Sequence, residues 1–486
     1  MKHYDCVVIG TGPAGQKGAI QAAKLGKSVA IVEKNKVLGG AQINTGTIPS
    51  KALREAVLQL TTGHRRGIYG TSKHVKEQVT IADLVSFSQR VIRHEWEIIR
   101  DQFERNNVDL HWGHAQFVGP NEVAIEGPDG EERITADRFL LGVGTRPARP
   151  ENVPFNGQTI FTSDAVMKLD HLPKTMIVVG GGVIGTEYAC IMATLGVQVT
   201  LIEGRNKVLG FLDQEICDAF QYFIRQRGIT LRLGEKVEAI REVDCNSSSG
   251  QNGSVCRLVE AKLESGKIIH AGTLLYAVGR QGVCKQLGLD KVGIEFDDRE
   301  RLQVNEHYQT NVDHVYAAGD VIGFPSLAST SMEQGRRAIC HAFGCSEGNY
   351  NTSLFPYGIY AVPEISMVGK TEEQLTAEGI PYESGVANYR EIARGQLLGD
   401  ELGMLKMLIH QETHKLLGVH VIGTGATELI HIGQAVMALD GDAEFFVNNV
   451  FNFPTLAECY KVAAYNGLNK LNNVYSGSCQ PVAVSC

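Results

Sequence analysis

The stretch "TMIVVGGGVIGTEYACIMATLGVQVTLIE", residues 175–203, decides the fold, because the chain has already used its pattern once as "DCVVIGTGPAGQKGAIQAAKLGKSVAIVE" over residues 5–33. Each copy opens on a short apolar run suited to a buried parallel strand. A glycine turn follows, with Gly10, Gly12 and Gly15 in the first copy and Gly180, Gly182 and Gly185 in the second, both G-x-G-x-x-G. A helix, which in the first copy is expected to run to about Gly26, leads to a second strand that ends in an acid, Glu33 or Glu203. The acid stands 23 residues after the first glycine in both copies. The first glycine permits a tight turn, the second lets a pyrophosphate touch the backbone, and the third lets helix and strand pack closely. The helix N-terminus offers unpaired N–H groups and partial positive charge to phosphates. The terminal acid is placed to accept hydrogen bonds from a ribose diol. One such turn is a weak signal, but two copies in the same frame are strong. Two dinucleotide sites follow, which implies one cofactor to keep and one to exchange.

Outside these copies, "TNVDHVYAAGDVIG" (310–323) predicts an apolar strand that delivers Asp320 just after Gly319, followed by a helix-like "SLASTSMEQGRRAICHAF". An acid there suits a sugar-alcohol hydroxyl, although by itself the segment reads as an ordinary strand-to-helix turn.

The 486 residues suffice for three domains with buried cores. The chain is 43% hydrophobic and 21% charged, the composition of a globular protein. A net charge of -8 argues against nucleic acid or an anionic membrane as partner. No apolar run approaches the ~20 residues of a membrane span. "MKHYDCVVIG" enters its first strand at once, so no signal or transit peptide is expected. Eleven cysteines, without metal-ligand spacing, predict free thiols in a reducing cytoplasm. Cys245 and Cys256 bracket "NSSSGQNGSV", which reads as a solvated hairpin loop. His111 and His114 in "HWGHAQF" are read as surface or packing residues, and no metal site is expected.

Several further motifs stand in a fixed order: "GTIPSK", "LLGVGTRP" (140–147), "YAVGR" (276–280), "PEISMVGKTEEQL" (363–375) and "FPTLAE" (453–458). With the two glycine turns they make the chain resemble, over nearly its whole length, the two-dinucleotide flavoproteins that include lipoamide dehydrogenase, glutathione reductase and mercuric reductase. That resemblance implies an α/β fold of two Rossmann-like dinucleotide-binding domains plus a C-terminal α+β dimerisation domain. The FAD domain is expected at 1–155 and 281–350, the NAD(P) domain at 156–280, and the interface domain at 351–486 with a mobile tail from about 473. Gly10, Gly12, Gly15, Glu33, Lys51, Gly144 and Asp320 would hold FAD, tightly and one per subunit. Gly180, Gly182, Gly185, Glu203, Arg205 and Gly279 would hold the nicotinamide nucleotide. A homodimer or higher homo-oligomer is expected.

The departures from the family are informative. Aligned through Gly40, Gly46, Pro49 and Lys51, the family's Cys-x4-Cys falls in "LGGAQINTGTIPSKALREA" (38–56) on Gln42 and Thr47. A disulfide relay needs two thiolates, which an amide and a hydroxyl cannot supply. The family's acid/base His before Pro-Thr is Phe453 here, while Glu458 remains. Lys51 survives, and in the family its counterpart pairs beside the flavin with the glutamate that is Glu187 here. Both are expected to be catalytic, stabilising charge on the reduced ring.

An enzyme that keeps hydride entry and lacks a thiol exit must pass electrons elsewhere, and Thr47 in "GTIPSKAL", with "PEISMVGKTEEQL" and "FNFPTLAECYKVAAYNGLNKL", resembles the flavin-containing pyridine nucleotide transhydrogenases of this family. NAD(H) and NADP(H) would then be exchanging substrates at one site, with ping-pong kinetics. Glu203 suits the free ribose of NAD, and Arg205 or Lys207 in "EGRNK" would offset its repulsion of a 2′-phosphate. The alternatives are an NAD(P)H oxidase or quinone reductase, a thiol reductase using Cys479 and Cys486, and a flavin-binding regulator with little turnover.

Overall fold

The computed structural model describes residues 1–65, 81–244, 257–346, 348 and 354–475. The hairpin reading of residues 245–256 and the tail cysteines Cys479 and Cys486 lie outside these residues. The first copy of the repeated pattern forms strand Lys2–Ile9, helix Pro13–Lys24 and strand Val29–Glu33. These two strands pair in parallel and continue the sheet to Val108–Trp112 on one side and Gly130–Leu141 on the other. Val315–Ala317 also pairs in parallel with Gly130–Leu141, and two antiparallel strands complete the sheet. That placement brings Asp320, on the turn Asp320–Ile322, to the same sheet end as the first glycine turn.

Helix Ala328–Ala342 follows and packs across Pro13–Lys24. Their crossing requires glycine: a Cβ on Gly335 would stand 2.1 Å from the Ala14 carbonyl oxygen. The second copy gives strand Thr175–Val179, helix Val183–Thr194 and strand Gln198–Glu203 in an all-parallel five-stranded sheet. The chain passes between the two sheets through Thr145–Pro147 and returns through Arg280–Gly282, and these segments pair antiparallel.

From Tyr357 onward a third sheet of five strands is wholly antiparallel, covered by helices Ala426–Ala438 and Glu458–Tyr475. Lys406 lies at the centre of one strand with its side chain fully buried. Its ammonium pairs with Asp213 at 2.8 Å, Glu215 at 2.9 Å and Glu372. Burial alone would push this amine down, and the hydrogen bonds it donates to the three carboxylates hold it above its usual range. The cluster ties the start of helix Gln214–Gln226, capped by Asp213, to the third sheet.

The segment that holds Gln42 and Thr47 forms two helices. Gly40–Asn44 stops, and Thr47–Arg65 begins afresh. The N–H groups of Thr45 and Gly46 both turn back to the Ala41 carbonyl, at 3.1 and 2.6 Å, which closes the first helix. Leu53 and Val57 of the second helix are buried in a core shared with both later sheets, which contribute Leu275, Ile359 and Ile365. Each such side chain contributes about 1.5–3 kcal/mol. Arg54, 4% exposed, donates to the Ala361 carbonyl at 2.9 Å and to Glu364 at 2.9 Å. The helix that carries Lys51 is thereby fixed between the second-copy sheet and the antiparallel sheet.

Candidate functional site

Lys51 leaves helix Thr47–Arg65 toward helix Val183–Thr194, and its ammonium donates to both Glu187 oxygens at 2.9 and 2.7 Å. Glu187 is 4% exposed, so the acid is buried at the pair rather than solvated. Its Oε1 accepts a further hydrogen bond from the Tyr360 backbone N–H at 2.8 Å. The Lys51 ammonium also lies 4.8 Å from the centre of the Tyr360 ring. Residues from three parts of the chain therefore meet at one paired charge. A half-buried pair with this many partners holds both groups in place, whereas removing Lys51 leaves the buried Glu187 charge uncompensated.

Gln42 and Thr47 are half-buried on the two short-of-one-helix segments, and neither side chain hydrogen-bonds within the described residues. The described cysteines are all free, and all but Cys345 are buried. Burial pushes the Cys190 thiol, on the second glycine-turn helix, up to about 12, so it offers no thiolate. Phe453 is 74% exposed, and one Glu458 carboxylate oxygen is buried without a partner.

Both glycine turns have the close-packed third glycine and open second glycine that a phosphate cradle needs. A Cβ on Gly15 or Gly185 would stand 1.9 or 2.0 Å from the carbonyl of Gly10 or Gly180. A Cβ on Gly182 would meet nothing within 4 Å, and one on Gly12 only the Gly142 carbonyl at 3.7 Å. Neither helix carries a side-chain cap, which leaves first-turn N–H groups for an anion. Gly144 and Gly279 each face open space in the strand-to-turn segments beside these cradles.

The terminal acids differ in their surroundings. Glu33 accepts four hydrogen bonds: from the Thr11 N–H and hydroxyl at 3.1 and 2.5 Å, and from the Asn35 N–H and amide at 2.8 and 2.9 Å. That fills the ~four lone-pair positions of a carboxylate, so a ribose would have to displace the Thr11 hydroxyl or the Asn35 amide. Glu203 accepts the Gly181 N–H at 2.6 Å and the Arg205 N–H at 2.9 Å. The Arg205 guanidinium clasps it through two further bonds of 2.9 and 3.1 Å. Lys207 is turned away, donating to Gln214 at 2.8 Å. Asp320 accepts from the Thr145 hydroxyl at 3.1 Å, with the Arg280 guanidinium 3.8 Å away.

His111 is committed to Tyr4 at 3.1 Å and Glu132 at 2.9 Å, a packing role. Among the described residues the carboxylates of Asp213, Glu215 and Glu372 approach within 4.8 Å of one another, but the Lys406 ammonium already sits among them.

The pyridine nucleotide-disulphide oxidoreductase family matches residues 4–335, and its dimerisation domain matches residues 355–464. The chain belongs to this family. A Mycobacterium bovis protein named soluble pyridine nucleotide transhydrogenase is 50% identical over 97% of this chain and 98% of its own. One of the same name from Aliivibrio fischeri is 43% identical over 96% and 98%. Among solved structures, LpdA from Mycobacterium tuberculosis superposes with a TM-score of 0.85 at 23% identity, over 96% of this chain and 99% of that one. The HOCl-induced flavoprotein disulfide reductase RclA from Escherichia coli does so at 0.82 and 25%, over 95% and 99%. Two features of this family member had no local sequence signal. Tyr360 reaches Glu187 across 173 positions, and Arg54 reaches Glu364 across 310.

Proposed function

We infer that the chain is an FAD-dependent enzyme that moves hydride between NADPH and NAD+ at a single nicotinamide site. The observation that carries this reading is the Lys51–Glu187 ion pair, on the helix that begins at Thr47, together with Gln42 and Thr47 at the positions where the family carries its two cysteines. The names of the relatives from Mycobacterium bovis and Aliivibrio fischeri support the same reaction.

The first glycine turn fits FAD: its second glycine is open, its helix is uncapped, and a Cβ on Gly40 would come within 3.0 Å of Gly12, which closes the cradle around a bare backbone. Gly10, Gly12, Gly15, Glu33, Lys51, Gly144 and Asp320 would hold it, tightly and one per subunit. Bound FAD supplies a two-electron store that takes hydride from one nicotinamide and gives it to another. Lys51, held by Glu187, presents a fixed positive charge in a half-buried site, where electrostatic stabilisation exceeds its value in water. Gly180, Gly182, Gly185, Glu203, Arg205 and Gly279 would hold either nucleotide. One site implies that the oxidised product leaves before the second nucleotide enters, hence ping-pong kinetics.

On this reading residues 1–155 and 281–350 bind FAD, 156–280 bind the nicotinamide nucleotide, and the remainder forms a homodimer interface. The matched dimerisation domain supports the last assignment, as do exposed Val450, Phe453 and Tyr465 on one stretch of the chain. No helix among the described residues is long and apolar enough to cross a membrane. Together with the free thiols this agrees with a cytoplasmic setting.

The test follows hydride from NADPH to an NAD+ analogue with a distinct reduced absorbance, beside dihydrolipoamide oxidation and oxygen consumption. Transfer between nucleotides is expected to dominate. Efficient lipoamide turnover without that transfer would overturn the reading, and oxygen consumption alone would replace it with an oxidase.

A further inference from the structure

An enzyme that accepts both nucleotides must handle a 2′-phosphate beside the acid that serves the unphosphorylated ribose. Arg205 cannot do this freely, because its guanidinium is bound to Glu203. A second cation stands on the other side of the same turn. A Cβ on Gly204 would meet only Lys236, at 3.3 Å from its Cγ and 4.0 Å from its Cε, so the lysine stem lies over the bare glycine next to Glu203.

The two segments are locked together by their backbones. The Glu235 N–H donates to the Glu203 carbonyl at 3.1 Å, and the Gly234 N–H to the Arg205 carbonyl at 2.9 Å. The neighbouring acid is engaged elsewhere: Glu235 pairs with Lys267 at 2.6 Å and accepts from the Ser265 hydroxyl at 2.9 Å. Lys236 is exposed and has no ion pair or side-chain hydrogen bond among the described residues.

We propose that Lys236 and Arg205, on either side of Gly204, form the subsite for the 2′-phosphate of NADP(H), while Glu203 serves the ribose of NAD(H). The inference rests on the reading of the second glycine turn as a site for both nucleotides. With NAD(H), Glu203 turns to the ribose diol and Lys236 remains in water. With NADP(H), the phosphate dianion draws Arg205 off Glu203 and takes its second positive partner from Lys236. Lys236 is thus the residue that gives the phosphorylated nucleotide a contact the other lacks.

The test measures binding to the FAD-loaded enzyme by calorimetry, with adenosine 2′,5′-bisphosphate and NADP+ set against AMP and NAD+. Lys236→Met keeps the stem over Gly204 and removes the charge. It should weaken the two phosphorylated ligands by about tenfold or more and leave AMP and NAD+ within about twofold. Equal loss for both pairs, or no loss for the phosphorylated pair, would overturn the subsite. So would a wild-type enzyme that binds adenosine 2′,5′-bisphosphate no better than AMP. If wild type discriminates as expected but passes no hydride between nucleotides, the functional reading fails and the subsite stands.

Discussion

The two glycine-turn units share a fold, a spacing and a terminal acid, yet the acids live in opposite electrostatic settings. Glu33 is enclosed by neutral donors, Thr11 and Asn35, which satisfy both its oxygens without adding charge. Glu203 is clasped by a guanidinium that is itself half exposed, with a free ammonium across the turn. An acid saturated by neutral donors suits a nucleotide that is bound once and kept. An acid whose counter-charge can be drawn away suits a site that must admit two ligands differing by a phosphate. On the proposed reading, the same scaffold would reach retention or exchange through the few residues that follow the second strand.

The strongest way to break this comparison is to damage both units alike. Gly15→Ala and Gly185→Ala place a Cβ 1.9 and 2.0 Å from equivalent carbonyl oxygens. Each should lose about 1–3 kcal/mol of stability from overpacking, read by thermal unfolding. Their chemistry should part: the first variant purifies without flavin absorbance, whereas the second keeps its flavin and loses reduction by NADPH. Flavin loss in both would mean that the units are not specialised. A smaller effect is expected at the junction. Lys51→Met should slow flavin reduction in stopped flow by roughly 10²–10³ while nucleotide binding to the second unit is kept. A drop in NADP+ binding of the same size would assign Lys51 to binding instead.

The repeated units were legible in the sequence because their signals are local: apolar runs, glycines at fixed offsets and an acid at the strand end. The missing thiols were legible for the same reason, since Gln42 and Thr47 sit inside a motif with flanking landmarks. The break at Thr45–Gly46 was not, because it depends on two N–H groups competing for the Ala41 carbonyl. Nor was Lys406 in "MLKMLIH", which reads as a lone charge on an apolar strand; its partners Asp213, Glu215 and Glu372 come from distant segments. Tyr360 and Lys236 were hidden likewise, one acting through its backbone and the other by lying over a glycine that precedes it by 32 positions.

The finest test is a single atom exchange on the acid that separates the units. Burial pushes the Glu203 carboxyl up, but hydrogen bonds from the Arg205 side chain and backbone and from the Gly181 N–H outweigh it and hold the group below the usual carboxylate range. A depressed carboxyl stabilises the fold fully above its unfolded value, near 4.5, and that contribution is lost as pH falls through the lower folded value. Glu203→Gln should therefore lower the unfolding temperature at neutral pH, where the carboxylate contributes, and flatten its fall over this acid window. It also removes the charge that opposes a 2′-phosphate and frees Arg205. NAD+ should bind about tenfold more weakly for want of a charged acceptor, while NADP+ binds as well as before or better. Glu33→Gln, with no cation to release, should show no such inversion between the two nucleotides. An equal loss of both nucleotides in Glu203→Gln would remove the asymmetry and make the two acids equivalent, which the clasp of Arg205 on only one of them argues against.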